Sequence, residues 1–471
     1  VKAAASLLRD DAGAPDRALI DALKGAFAAF AQRVNLVIAI DHSGRAGNGF
    51  FQAIFDQHPQ VLTCPWVHYL YSYVVTEFGD GGTLATDAAH RFLTGKAYFR
   101  YLYNDVDARM DRDIRKFGGD PSAEIDRAAV RRLFDALLAD HDQVERRTAI
   151  LAMYFAYAVG VGRQIDDIRY VLVTDAISLR FESPATGFSG RVLDRVVEDF
   201  PAARIVHLVR DPRASFASTN HQFVNAWGNM YGVHWGNYRE SLRRLLRSHF
   251  DWEGGFAFGF FALFFREAYL AAERQAARYR AQVRRVRNED LNLDFMPTIT
   301  GLCEWLGVGM VPEWSGSDYV PTMVGHPWTG TGAYNSTYQT NRHGPLRNDP
   351  DDVARKVSGP NAYVTRRWRT RLAPREIYLV ECLLRDEIAR YGYDFVASPA
   401  GRRSMLGFLG RLALPLRGEL PAPRWILDGR HVGWREVADR LFFALTFLPF
   451  YVGARLAFLR LVHQKGLFPR P

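Results

Sequence analysis

Three times along this chain a short aliphatic run stops on polar residues and gives way to helical spacing. That alternation constrains the fold more than any other feature. VNLVIAID (Val34–Asp41) is followed by the glycine-rich HSGRAGNG and then by FFQAIFDQHPQV, where Phe50, Phe51, Ile54 and Phe55 recur with a helical period. YVLVTDA, starting at Tyr170, precedes the helical pattern GRVLDRVVEDF (190–200), and ARIVHLVRD precedes a helix opening at about Pro212. Strands that are apolar on both faces need cover on both faces, and strand–helix alternation supplies it by packing the strands parallel between helices. The expectation is an α/β fold with a central parallel sheet flanked by helices, binding its ligand in loops at the carboxyl ends of the strands.

The rest of the chain adds limits. Residues 76–165 and about 235–283 read as helical. FAFGFFALFF (256–265) reads as a buried helix, too short to cross a bilayer. Residues 312–350, rich in Gly, Pro, Ser and Thr, read as a long loop, and helical pattern resumes at about Pro374. Cys64, Cys303 and Cys382 are far apart and lack metal-ligand spacing, which argues against a zinc site or a disulfide framework and for a reducing compartment. The first thirty residues mix apolar positions with Arg9, Asp10, Asp11, Asp16 and Arg17, so no signal-peptide pattern forms and an amphipathic helix at about 17–31 is expected. The net charge of +9 is uneven: from Val396 to Pro471, eleven Arg and one Lys face two Asp and two Glu, and the remainder is close to neutral. A nucleic-acid binder would spread its charge over a working face, so no nucleic-acid partner is expected. The Ala/Arg-rich usage fits a bacterial source.

Two loops carry candidate chemistry. In the first, Gly44, Gly47 and Gly49 let backbone N–H groups approach an anion, although a tight turn alone would also explain them. Gly44 and Gly49 have the spacing of a nucleotide P-loop, but Phe50 and Phe51 stand where that motif needs Lys and Ser/Thr, which disfavours an ATP or GTP hydrolase. In the second, Arg210 ends a strand and Ser218 lies about two turns into the next helix, with Asp211–Pro212 suited to open it. Together a guanidinium fork and a hydroxyl suit a phosphate; singly they read as a surface ion pair and a helix serine.

IVHLVRDPRASFAS (205–218) resembles the 3′-phosphate motif of sulfotransferases that use 3′-phosphoadenosine 5′-phosphosulfate (PAPS). SGRAGNGFFQAIFDQHPQV is similar to their 5′-phosphosulfate loop and following His-Pro. VRNEDLNLDFMPTITGLCEWLGV (286–308) resembles their YEDL…FLG segment, and GHPWTGTGAYNST (325–337), RRWRTRLAPREI (366–377) and ARYGYD (389–394) resemble C-terminal features. The resemblance runs in order from about 34 to 395. It departs in the first loop, where the usual Lys/Arg–Ser–Gly–Thr–Thr reads Arg45–Ala46–Gly47–Asn48–Gly49: the cation stays, the hydroxyls go, and Asn48 and backbone N–H groups remain as donors.

The resemblance implies a P-loop-like three-layer fold at 34–395, preceded by a helical segment (1–33) and followed by a basic, aromatic-rich helical extension (396–471). It implies sulfuryl transfer from PAPS to a hydroxyl of a lipid-linked, phenolic or carbohydrate acceptor, releasing 3′,5′-adenosine bisphosphate, with no metal. Cofactor contacts would come from Gly44, Arg45, Ala46, Gly47, Asn48, Gly49, Phe50, Arg210 and Ser218. Arg45 would serve the leaving 5′-phosphate and the sulfuryl oxygens. For the general base, His68 ranks first, His42 second and Asp175 third, while His58 is expected to shape the turn before Pro59. Arg342, Arg366 and Arg367 are candidates to cover the 3′-phosphate. Two other readings stay open: a P-loop-like kinase, and a non-catalytic membrane-associated binding protein of the same fold.

The tail has its own pattern. In LFFALTFLPFYVGARLAFLRLVHQK (441–465), fourteen uncharged residues precede Arg455, fewer than the roughly 20 a transmembrane helix needs, and Pro449 interrupts them. Arg435, Arg440, Arg455, Arg460 and Lys465 flank or punctuate the stretch. Segment 435–465 is expected either to lie on an anionic membrane surface or to pack as a helical pair on the domain. The expected location is cytoplasmic, with peripheral attachment to the inner face of the membrane.

Overall fold

The computed structural model of the 471-residue chain describes residues 17–41, 45–95, 99–107, 110–111, 114, 120, 122–176, 192–227, 258–316, 318–328, 359–397, 404–416, 419–420, 434–464 and 466. Nine strands are described: β1 (Asn35–Asp41), β2 (Val61–His68), β3 (Thr83–Ala85), β4 (Gln143–Glu145), β5 (Tyr170–Ala176), β6 (Arg204–Val209), β7 (Val283–Arg287), β8 (Thr322–Met323) and β9 (His326–Pro327). Five of them form one parallel sheet in the order β2-β5-β1-β6-β7. The aliphatic β1 is the central strand and is buried from Leu36 to Asp41, as a strand covered on both faces requires.

After β1 the chain runs to β2 on one side of the sheet; after β6 it runs to β7 on the other. β1 and β6 are neighbours, with Ile38 paired to Ile205, so the crevice at their carboxyl ends is a topological switch point, where sheets of this kind bind ligands. Helix α1 (Arg17–Arg33) packs Phe27 and Phe30 edge-on against Phe155 of a helix at Arg146–Gly160, in the main core around β1, β2 and β5. Helix α2 (Asn48–Ile54) buries Phe51 and Ile54 in that core. Helix α3 (Leu70–Phe78) follows β2. Helix α4 (Pro212–Trp227), after β6, places Ala214, Phe216 and Ala217 in a second core instead. That core also takes Tyr269 from α5 (Phe258–Arg278), Leu379 from α6 (Pro374–Leu383), Phe408 from α7 (Met405–Leu412), Phe443 from α8 (Trp434–Leu445) and Phe458 from α9 (Phe447–Gln464).

Three elements differ from expectation. β7 was not foreseen: VRRVR hides a strand behind alternating arginines, because an edge strand buries only Val286. Likewise the two-stranded β3–β4 ladder lies inside a stretch that reads as helical. A 3₁₀ turn (Pro312–Ser315) and the β8–β9 hairpin stand where open loop was expected; 317 and 329–350 lie outside the described residues. FAFGFFALFF is helical from Phe258, and the burial of that run also lies outside them.

The tail is a packed pair of helices, and no helix among the described residues is long and apolar enough to cross a membrane. Pro449 sits in the first turn of α9, where a missing N–H costs no hydrogen bond; the break comes earlier, at Thr446. Arg440 and Arg455 are not the surface cations their spacing suggests, because both are buried. Arg455 pairs with the fully buried Glu419 and donates to the Leu412 carbonyl at 2.8 Å and to the Tyr451 hydroxyl at 3.2 Å. Glu419→Ala strands that guanidinium, so chemical denaturation is expected to show a loss of about 3–5 kcal/mol in the C-terminal core, while Glu419→Leu with Arg455→Met recovers most of it. Equal stability of Glu419→Ala and the parent would show that the pair holds nothing.

Candidate functional site

The carboxyl ends of β5, β1, β6 and β7 are tied together by their own loops. Asp41, the last residue of β1, accepts the Ala46 N–H at 3.0 Å and folds the first loop back; Ala46 therefore spends its N–H inside the protein. Gly47 then begins α2 with φ +109°, and a Cβ there would overlap Asn288 Nδ2. Only glycine meets both demands. Asn288 opens a short helix (Asn288–Leu293) directly after β7, so this contact seats the first loop on the far strand. Asn48 donates its Nδ2 to the Asp175 carbonyl at the end of β5 (3.3 Å), and its buried Oδ1 has no partner among the described residues. Gly49 and Phe50 follow in α2; the Phe50 ring lies 5.8 Å from that of Trp328 in the core, leaving backbone as what Phe50 can offer a ligand. Phe51 is fully buried, so no Lys or hydroxyl side chain stands where a nucleotide P-loop carries them.

The second loop meets the first directly. Asp211 caps α4 by accepting the Arg213 N–H at 2.9 Å, with Pro212 in the first turn. This places Ser218, 3% exposed, beneath Arg45, whose Nε and Nη2 donate to Ser218 Oγ at 3.3 and 3.0 Å. Arg210 donates its Nη1 to the Arg45 carbonyl at 3.0 Å, and its own carbonyl accepts the Tyr269 hydroxyl at 3.0 Å. Arg210 is only 7% exposed, and its Nε has no partner among the described residues. Arg213, three residues on, has different work. It holds Asp211 through Nε and Nη2, Glu381 at 2.7 Å and the Asp394 carbonyl at 2.7 Å, and lies over the Trp368 ring.

Arg45, Arg210 and Arg367 act on one another electrostatically in this crevice. Burial, the charge of Arg210 and, less strongly, that of Arg367 bring the Arg45 guanidinium down to about 10, against the pull of Tyr69 and Asp41. Burial and Arg367 likewise lower Arg210, opposed by Glu289, Asp211 and Tyr393. Arg45 and Arg210, whose charge burial and neighbouring guanidiniums disfavour, make a place that an anion stabilises. Glu289 is the buried counter-charge: it accepts the Asp211 N–H at 3.1 Å and the Tyr393 hydroxyl at 2.6 Å, and burial pushes its carboxyl up.

The candidate bases separate. Asp175 is buried, and its oxygens accept the Ser72 N–H at 2.9 Å and hydroxyl at 2.6 Å, capping α3. His58 shapes its turn, with Nδ1 accepting the Gln60 N–H at 3.0 Å and Nε2 2.9 Å from the Gly309 carbonyl; burial lowers its pKa. His68 ends β2, its backbone paired with Thr174 of β5, while its side chain lies outside the described residues. His42, Gly44 and Arg342 lie outside them too. Arg366 is exposed, and Arg367 is the late-loop cation that acts on the site. Missed in sequence were Asn288, Glu289, Tyr393 and Tyr69. The last follows His68 with φ +59°, a left-handed conformation uncommon for a bulky residue. Among the described residues no group of His, Cys, Asp and Glu is placed to hold a metal ion.

A family model described as "Sulfotransferase family" matches residues 43–312, more than half the chain and the span that contains both phosphate-type loops. The chain belongs to the sulfotransferase family. Solved structures similar to this sulfotransferase include a sulfotransferase domain from the curacin biosynthetic pathway, at 14% identity and TM-score 0.43, covering 77% of this chain and 100% of that one. A sulfotransferase domain from the Synechococcus PCC 7002 olefin synthase is similar at 17% identity and TM-score 0.34, covering 77% of this chain and 97% of that one. No curated protein matches the sequence. Family membership supports sulfotransfer as the reaction class of this sulfotransferase.

Proposed function

We propose that this sulfotransferase takes its sulfuryl group from PAPS and delivers it to a hydroxyl of a lipid-linked, phenolic or carbohydrate acceptor. The observation that carries the reading is the meeting of Arg45, Arg210 and Ser218 in the switch-point crevice, with Arg367 adding charge and Arg210 Nε buried without a partner among the described residues. Arg210 and Ser218 would hold the 3′-phosphate; Arg45, Asn48 and the backbone N–H groups at the start of α2 would hold the 5′ end. When bound, the donor supplies a sulfuryl group activated by its link to phosphate.

The chain's residues then have defined work. Arg45 presents fixed N–H donors where negative charge grows; burial and Arg210 bring its pKa down to about 10, which still leaves it charged at neutral pH. Gly47 allows the loop to sit close, and Asp41 and Asn288 fix its path. With Asp175 committed to α3, His68 is the foremost candidate to accept the acceptor's proton, from its position at the end of β2.

Two measurements test this. 3′,5′-Adenosine bisphosphate is expected to raise the melting temperature while ATP does not, and labelled sulfate from PAPS should appear on at least one member of an acceptor panel. Stabilisation by ATP alone would transfer the site to a kinase reading. The loss of hydroxyls from the first loop favours one rival, binding without catalysis; stabilisation by the bisphosphate with no PAPS turnover, hydrolysis included, would assign it.

A further inference from the structure

The two C-terminal helices are apolar on two sides, and only one side is covered. Inward, Phe443, Phe447 and Tyr451 follow at four-residue spacing, their rings in contact across the break at Thr446. Ala454, Phe458 and Val462 continue that side into the second core. The Thr446 N–H still bonds to the Phe442 carbonyl at 2.9 Å, so the helical course is almost continuous through the break. Outward, Leu441, Leu445, Leu448, Val452 and Leu456 follow at spacings of four, three, four and four, which places them on one stripe. Their exposures are 43, 83, 68, 48 and 63%, with Phe442 beside them at 53%. From 441 to 456 the stripe is roughly 23 Å long at the α-helical rise. A helix that is apolar all round belongs in an apolar environment on both sides.

The occupant is set by charge. Between residues 441 and 454 no side chain is charged, and Arg440 and Arg455, which bracket that stretch, are buried on the protein side. The exposed cations Arg435 and Arg460 stand beyond the two ends of the stripe; Glu436 and Asp439 share the first helix with Arg435, and over 396–471 twelve basic residues face four acidic ones. A bilayer with anionic headgroups would take the leucines below its surface and the flanking arginines at it.

We propose that the Leu441–Leu456 stripe docks this sulfotransferase flat onto a bilayer surface that carries anionic lipid. The full chain is expected to sediment with phosphatidylcholine vesicles containing phosphatidylglycerol, and weakly with phosphatidylcholine alone. Leu445→Ser with Leu448→Ser should lower the partition coefficient by about tenfold or more per side chain. Arg435→Gln with Arg460→Gln should lower it by about fivefold per charge, an effect that salt also produces. Both variants should keep the parent's melting temperature and its stabilisation by the bisphosphate, which separates this surface from the nucleotide site. Three results overturn the proposal: a full chain that stays in solution with anionic vesicles, a Leu445/Leu448 variant that binds as well as the parent, or a soluble dimer that this variant dissolves and that ignores vesicles.

Discussion

Gly47→Ala is expected to cut kcat/KM for PAPS by about two orders of magnitude while leaving the sheet folded. Two costs add at this residue. Its φ of +109° strains any side-chain-bearing residue, at about 1–3 kcal/mol, and the new methyl would overlap Asn288 Nδ2. Asn288 Nδ2 is the far end of a flexible side chain, so the amide can turn aside to relieve the overlap, whereas the backbone strain stays. That strain falls on the turn between Arg45 and the start of α2, where the site's donors are set. Adding Asn288→Ala should restore part of the lost activity by removing the overlap, while the backbone strain stays; a double-mutant cycle reads the coupling between the two positions. Parent-like kinetics in Gly47→Ala would mean that the seat on Asn288 does not shape the site.

Arg210→Ala is expected to lower kcat/KM for PAPS by a similar two orders of magnitude, mainly through KM. A charge-assisted bond to a phosphate is worth about 1.5–3 kcal/mol, and the buried Arg210 has N–H groups to give. Arg210→Lys should recover only part, because an ammonium keeps the charge and loses the planar fork. Arg213→Ala is the informative contrast. Arg213 joins Asp211, Glu381, the Asp394 carbonyl and the Trp368 ring, so its loss should appear first as a lower melting temperature. Thermal melts beside steady-state kinetics separate the two arginines; a stability loss for Arg210→Ala as large as that for Arg213→Ala would move Arg210 into the scaffold.

The central strands were legible because β1, β5 and β6 each carry a run of branched aliphatic residues that gives way to polar ones near the strand end. That the first and third loops lie together followed from the same pattern, since both leave the carboxyl ends of what proved to be neighbouring strands; the bond from Arg45 to Ser218 did not. β7 was hidden because an edge strand need bury only one of its five side chains, and its arginines read as surface. Asn288 and Glu289 were inside a quoted motif, yet their roles depend on Gly47 and Tyr393, far away in sequence. Arg455 was misread because a cation spaced along such a segment is taken as solvated, and only the fold supplies the Glu419 carboxylate that lets it be buried.

The central claim is that Arg210 and Ser218 grip the ribose 3′-phosphate while Arg45 serves the other end of the nucleotide. Calorimetric titration of the parent and of Arg210→Ala with 3′,5′-adenosine bisphosphate and with 5′-adenosine monophosphate, which lacks the 3′-phosphate, tests it most directly. The account predicts that the substitution weakens the bisphosphate by about one to two orders of magnitude and the monophosphate hardly at all. Equal weakening of the two nucleotides would contradict it.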